Sequence, residues 1–130
     1  EMAAVTTVLK LTQVQGVVKV HGENNDSATI ALATTLKKDS ETQSSPVANI
    51  KRIFWSTDKN ADITITRDSV VVWVLFGSGE LDFHGFSDTE QNDADIVIDF
   101  NNGHGTIIVE VAKVSGYGSQ QHQGADGDLG

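Results

Sequence analysis

Asp62-Ile63-Thr64-Ile65-Thr66, the pair Asp68-Ser69, and then Val70-Val71-Val72-Trp73-Val74-Leu75-Phe76 form the stretch on which the fold class turns. Isoleucine and threonine alternate in the first segment, a period of two that puts one residue type on each face of a strand. Asp-Ser is turn chemistry. The second segment is apolar at every position, which predicts a central strand covered on both faces. Upstream, Val47, Asn49, Lys51, Ile53 and Trp55 alternate with Ala48, Ile50, Arg52 and Phe54. Downstream, Gly77-Ser78-Gly79 turns into Glu80 to Phe86, where Leu81 and Phe83 share one face and Asp82 and His84 the other.

The same pattern extends outward in both directions. Val5, Leu9 and Leu11 oppose Thr6, Lys10 and Thr12; Val17 to His21 and Ala28 to Ala33 read as strands, with a polar turn at Gly22 to Asp26. Thr34 to Ser45 reads as a polar loop at an exposed tip. Ser87-Asp88-Thr89-Glu90 fits a capping box and one short helical turn. Ile96 to Phe100 and Thr106 to Val114 read as a hairpin around Asn101-Asn102-Gly103-His104-Gly105, because Asn-Gly supplies positive φ angles. Val, Thr and Ile number 15, 12 and 9 against 7 Leu, and side chains branched at the β-carbon favour a pleated surface over a helix. The expected fold is all-β: a β-sandwich or jelly-roll-like domain of about eight or nine short antiparallel strands over residues 1–114. Residues 115–130 are rich in Gly, Gln and Ser, with Tyr117 and Leu129 as the sizeable apolar side chains; they read as a flexible C-terminal arm that orders against a partner.

Composition narrows the function classes. The 130 residues contain no cysteine, which removes disulfides, zinc thiolates and thiol catalysis. No apolar run approaches the roughly 20 residues of a membrane-spanning helix, and no cleavable signal peptide is visible. The net charge of −9 argues against direct nucleic-acid binding by a basic face. Charge is also uneven. Residues 1–57 carry five acids and six bases, residues 58–130 thirteen acids and three bases.

Few residues suggest chemistry. Asp88, Glu90, Asp93 and Asp95 offer oxygen ligands for calcium, but the spacing is not that of an EF-hand loop and reads more simply as a solvated acidic loop. His21, His84, His104 and His122 lack short-range metal spacing. Ser56, Ser69 and Ser78 sit in turns without a nucleophile-elbow motif. Glu80 and Asp82 share a strand face as an acid–base pair would, and as two solvated acids also would. No catalytic residue, metal or cofactor is expected. Phe54 and Trp55 are adjacent and must point to opposite faces; with Trp73 and Tyr117 they are the candidate interface aromatics.

Arg52-Ile53-Phe54-Trp55-Ser56-Thr57, Leu75-Phe76-Gly77-Ser78-Gly79-Glu80-Leu81-Asp82-Phe83 and Val114-Ser115-Gly116-Tyr117-Gly118 resemble small β-rich structural proteins of tailed bacteriophages, over about residues 2–118. The resemblance implies a virion component without catalytic residues, best of the capsid decoration (cement) type, with the major capsid protein and copies of itself as partners. It contains no motif specific to that subtype, so tail-tube, neck and fibre-tip roles stay open. From another class, a carbohydrate- or calcium-binding β-sandwich module would use Trp55, Trp73 and the Asp88–Asp95 loop.

Overall fold

A computed structural model describes residues 4–38 and 41–119. They form nine strands and no helix: β1 (Val5–Leu11), β2 (Gln15–Gly22), β3 (Ser27–Ile30), β4 (Glu41–Thr57), β5 (Asp62–Arg67), β6 (Val70–Phe76), β7 (Ser78–Asp82), β8 (Ile96–Asn101) and β9 (Gly105–Ser119). One sheet has the order β1-β2-β9-β4-β7, the other β3-β8-β5-β6, and every pairing is antiparallel. Without β1, these are the two four-stranded sheets of a jelly roll, β2-β9-β4-β7 and β3-β8-β5-β6. The all-β sandwich expected from the period-two patterning is the observed architecture.

The alternation places the core. Val18 and Val20 on β2, Ile63 and Ile65 on β5, Ile96, Ile98 and Phe100 on β8, and Ile107, Val109 and Val111 on β9 are all buried. Their strand neighbours are exposed or half-buried. Aliphatic side chains thus fill the space between the sheets. Phe100 lies against the backbone of Gly22, where a Cβ would stand 2.4 Å from its ring, and of Gly105, where it would stand 3.1 Å away. Gly22 and Gly105 are paired across β2 and β9, so the two glycines form the floor for this ring.

Several expectations need correction. β6 is an edge strand, hydrogen-bonded to β5 alone within its sheet. Of its seven residues only Leu75 is buried, with Val72 and Trp73 half-covered. An unbroken apolar run marks surface that must be kept from water; it does not say whether the same chain supplies the cover. Asn101 to Gly105 is a tight turn with Asn102 at φ 66° and Gly103 at φ 150°, but it carries the chain from one sheet to the other and makes no hairpin. Asp58 secures it, accepting from the His104 amide at 3.0 Å and donating its own amide to the His104 carbonyl at 3.0 Å. The two-residue hairpin is instead at Asp68-Ser69, both at positive φ (51° and 63°), between Arg67 and Val70. Ser87 to Glu90 forms no helical turn; Asp88 bridges to Ile50 on β4.

The domain boundary also moves. β4 begins at Glu41, inside the stretch expected to be a loop, and pairs with β9 as far as Ser119. Tyr117, expected on a flexible arm, is 9% exposed and belongs to the core. Its hydroxyl donates to the Leu32 carbonyl at 2.7 Å, and its ring lies 4.5 Å from the Lys113 ammonium. Lys113 and Glu41 are buried together with a 2.7 Å contact, and Lys113 also donates to the Thr12 carbonyl at 2.9 Å. This polar cluster holds the two long strands together at one end. The sequence from 115 looked too polar to fold because its neighbours in the core, Glu41 and Lys113, are themselves polar. Residues 120–130 of the expected arm lie outside the described residues.

Two measurements check this packing. Gly22→Ala forces a methyl group into the Phe100 ring and should cost about 1–3 kcal/mol, read as a lower urea midpoint. Tyr117 is the sole tyrosine, and burial, with the Glu41 charge adding to it, raises its hydroxyl pKa well above the usual value. Its contribution to stability is therefore complete below about pH 10 and lost as pH rises through the folded value. Tyrosinate absorbance should stay absent in the folded protein above pH 10 and emerge with unfolding. Normal titration near pH 10 in folded protein would place Tyr117 outside the core.

Candidate assembly surface at the β6 edge

The inward alternation of β5 ends on a cation. After Ile63 and Ile65, Arg67 also points between the sheets and is 1% exposed. A buried guanidinium must have its donors satisfied. Here Nη1 donates to the Ala48 carbonyl at 2.9 Å, Nη2 to Ala94 at 2.7 Å and Asn92 at 3.1 Å, and Nε to Ala94 at 3.1 Å. Ala48 belongs to β4 in the facing sheet, whereas Asn92 and Ala94 belong to the acidic loop before β8. Burial pulls the Arg67 pKa down, and the charges of Asp88, Asp93 and Asp95 oppose that shift. Arg67 is thus the counter-charge of the loop as well as its anchor.

The backbone of the loop is fixed to that of β4 at two further points. The Ala48 amide donates to the Asn92 carbonyl at 3.0 Å, and Ile50 and Asp88 exchange backbone hydrogen bonds of 3.2 and 2.8 Å. Asp88 is thereby brought to β6. Its Oδ2 accepts from the Trp73 indole at 2.6 Å and its Oδ1 from the Glu90 amide at 3.0 Å. Trp73 and Phe83 pack with ring centroids 5.8 Å apart, tilted by 42°. Between β6 and the segment 83–90 runs a cleft of about 520 Å³, lined by Val71, Val72, Trp73, Phe83, Asp88 and Glu90 among others. On β6 and in that segment apolar side chains are exposed: Val71 at 57%, Val74 at 45%, Phe76 at 67% and Phe86 at 79%. Among the described residues, the backbone of residues 70–75 makes no hydrogen bond beyond its pairing with β5. The opposite margin of the molecule also exposes apolar groups, among Thr6, Thr7 and Lys10. β1, the edge strand of the larger sheet, exposes Val5, Val8 and Leu9.

The interface aromatics named from the sequence do not converge. Trp73 is in the cleft. Trp55 faces inward beside β7, half-buried, its indole donating to the Phe76 carbonyl at 2.9 Å. Phe54 faces the other way, with the Arg52 guanidinium 4.9 Å above its ring. Tyr117 is in the core. Phe76 and Phe86, the most exposed aromatics at the edge, were not singled out, because an apolar residue in an apolar run carries no mark of exposure. Arg67 was missed for the converse reason: a lone arginine beside a turn reads as solvated.

Of the acids that suggested calcium, Asp88 and Asp95 are directed to separate partners. Asp88 serves Trp73 and the Glu90 amide, and Asp95 Oδ1 accepts from the Leu32 amide at 2.9 Å. Among the described residues no group of three or more His, Asp or Glu side chains is placed to hold a metal ion. Glu80 and Asp82 flank Arg52 with Glu110, at 3.6–3.7 Å. His21 contacts Thr106, His104 lies 3.9 Å from Glu23, and His84 is exposed in a turn; His122 lies outside the described residues. Ser56, Ser69 and Ser78 are exposed at strand ends or turns.

No protein-family model matches the chain, and no curated protein matches it. Among solved structures it is similar to a cupin domain from Bordetella pertussis Tohama I, at 8% sequence identity and a TM-score of 0.44, over 87% of this chain and 95% of that one.

Proposed function

We propose that this chain is a non-enzymatic structural protein of a virion, a decoration protein that attaches in many copies to the head lattice of a tailed phage. Its partners in this reading are the major capsid protein and neighbouring copies, and it joins the particle in the host cytoplasm. The observation that carries the reading is the placement of exposed apolar side chains at the two sheet margins, on β6 with Phe86 and on β1. Edge strands of monomeric proteins are normally blunted by charge, proline or cover, because an open edge templates pairing with another chain. β6 carries neither charge nor proline along its seven residues, and its one irregularity is a bulge opposite Ile65–Thr66. The aliphatic filling between the sheets supports the same reading, since it leaves recognition to the outside of the sandwich. Two margins allow one copy to touch more than one neighbour, and contacts repeated over a lattice add by avidity even where each is small. The resemblance of the 52–57, 75–83 and 114–118 segments to small phage structural proteins supplies the particle.

Particles released from the cells that make this protein provide the test. After density-gradient purification the chain should band with the particles at a fixed ratio to the major capsid protein. A chain carrying Val71→Lys and Val74→Lys should keep its urea midpoint, because exposed edge substitutions change stability by about 0.5 kcal/mol or less, yet fail to band. Absence of the wild-type chain from every particle fraction would refute the reading.

A further inference from the structure

The charge around β6 says what kind of strand fits there. Residues 58–130 contain three bases, and the core takes two of them, Arg67 and Lys113. Lys59 is left as the exposed base of that half, against acids that include Asp68 in the hairpin before β6 and Asp88 and Glu90 along the cleft. A second copy laid along β6 would bring the same acids against these. A strand alternating apolar and basic residues would meet apolar side chains on the β6 edge and carboxylates in the cleft. The cleft suits a basic side chain in a further respect: Trp73 and Phe83 line it beside Asp88 and Glu90, so an aliphatic stem and a cationic head both find partners. Asp88 is held in place by the Trp73 indole and the Glu90 amide rather than free to swing away.

We propose that the β6 edge accepts an extended segment of a partner protein, apolar and basic in alternation, by strand addition, with its basic side chains set against Asp88 and Glu90. This names the partner chemistry of the assembly surface and rests on that reading. Main-chain hydrogen bonds to β6 supply the common affinity, and the cleft selects the side chains.

The probe is a blocked seven-residue peptide alternating valine and lysine, matched in length to β6 and titrated into the isotopically labelled full chain. Binding should slow amide exchange in residues 70–76 and shift the Trp73 indole proton. It should weaken about tenfold when salt is raised to several times the physiological level. Glu90→Gln, which removes one exposed carboxylate, should weaken it by roughly threefold to fivefold. The valine–glutamate counterpart, and a valine–lysine peptide N-methylated at alternate residues, should not bind. Equal binding of the glutamate peptide overturns the proposal through its charge, equal binding of the N-methylated peptide through its geometry, and no binding of the lysine peptide overturns it outright. Protection of residues 70–76 that grows with protein concentration and no peptide would make a second copy the occupant; that also overturns the proposal, but leaves the assembly reading to be judged on the particle gradient.

Discussion

Arg67 brings a full charge into the end of the sandwich and bonds it to backbone carbonyls rather than to a carboxylate. Removing a guanidinium from water costs several kcal/mol, offset here by four hydrogen bonds and by the field of Asp88, Asp93 and Asp95 around it. The planar fork of arginine is what makes this possible. It reaches β4 with one nitrogen and the acidic loop with the others, so one side chain joins the two sheets and the segment between β7 and β8. Without that cation, carboxylates crowded on one loop would repel each other. With it that repulsion is offset, and Asp88 rests against the Trp73 indole. The cleft beside β6 is thus built from inside the core.

The same end of the long β4–β9 pair carries a second polar group, Lys113, Glu41 and Tyr117, since Ala48, which accepts from Arg67, is paired with Lys113. The two clusters divide the labour with the aliphatic core. Ile, Val and Leu between the sheets supply non-directional burial, while the polar clusters fix which backbone carbonyl meets which side chain and so determine the positions of loop and strand end. Both withdraw positive charge from the surface. The outside of the second half of the chain is therefore more acidic than its composition suggests, and its apolar groups are concentrated at the β6 margin.

What the sequence disclosed follows from the range of each signal. Ile63, Ile65, Ile96, Ile98, Ile107 and Val109 announce a two-sheet fold because a strand's alternation is local and its consequence, one buried face, is general. Pairing order is not local. Val70 to Phe76 has the composition of a central strand and the position of an edge. Asn102-Gly103 has hairpin chemistry and makes a crossover, because the positive φ angles it supplies reverse the chain without saying which strand comes next. Tyr117 was misplaced because the argument from polar composition assumed an apolar partner, whereas Lys113 and Glu41 come from 4 and 76 residues away along the chain. At the candidate site Trp73 and Asp88 were named together from the sequence, as parts of a sugar- or calcium-binding surface, but the bond between them and the buried Arg67 that anchors the Asp88 loop carried no mark of their own.

Native-state hydrogen exchange of the Arg67→Lys chain tests this dependence most directly. Lysine keeps the charge but cannot span β4 and the loop together. The amides of Ala48, Ile50 and Asp88 and the Trp73 indole should exchange at least about tenfold faster, as local opening replaces fixed hydrogen bonds, while Val18, Ile98 and Val109 keep their protection. Unchanged protection at Asp88 and the Trp73 indole in a folded Arg67→Lys chain would show that the acidic loop and the cleft stand without the buried guanidinium.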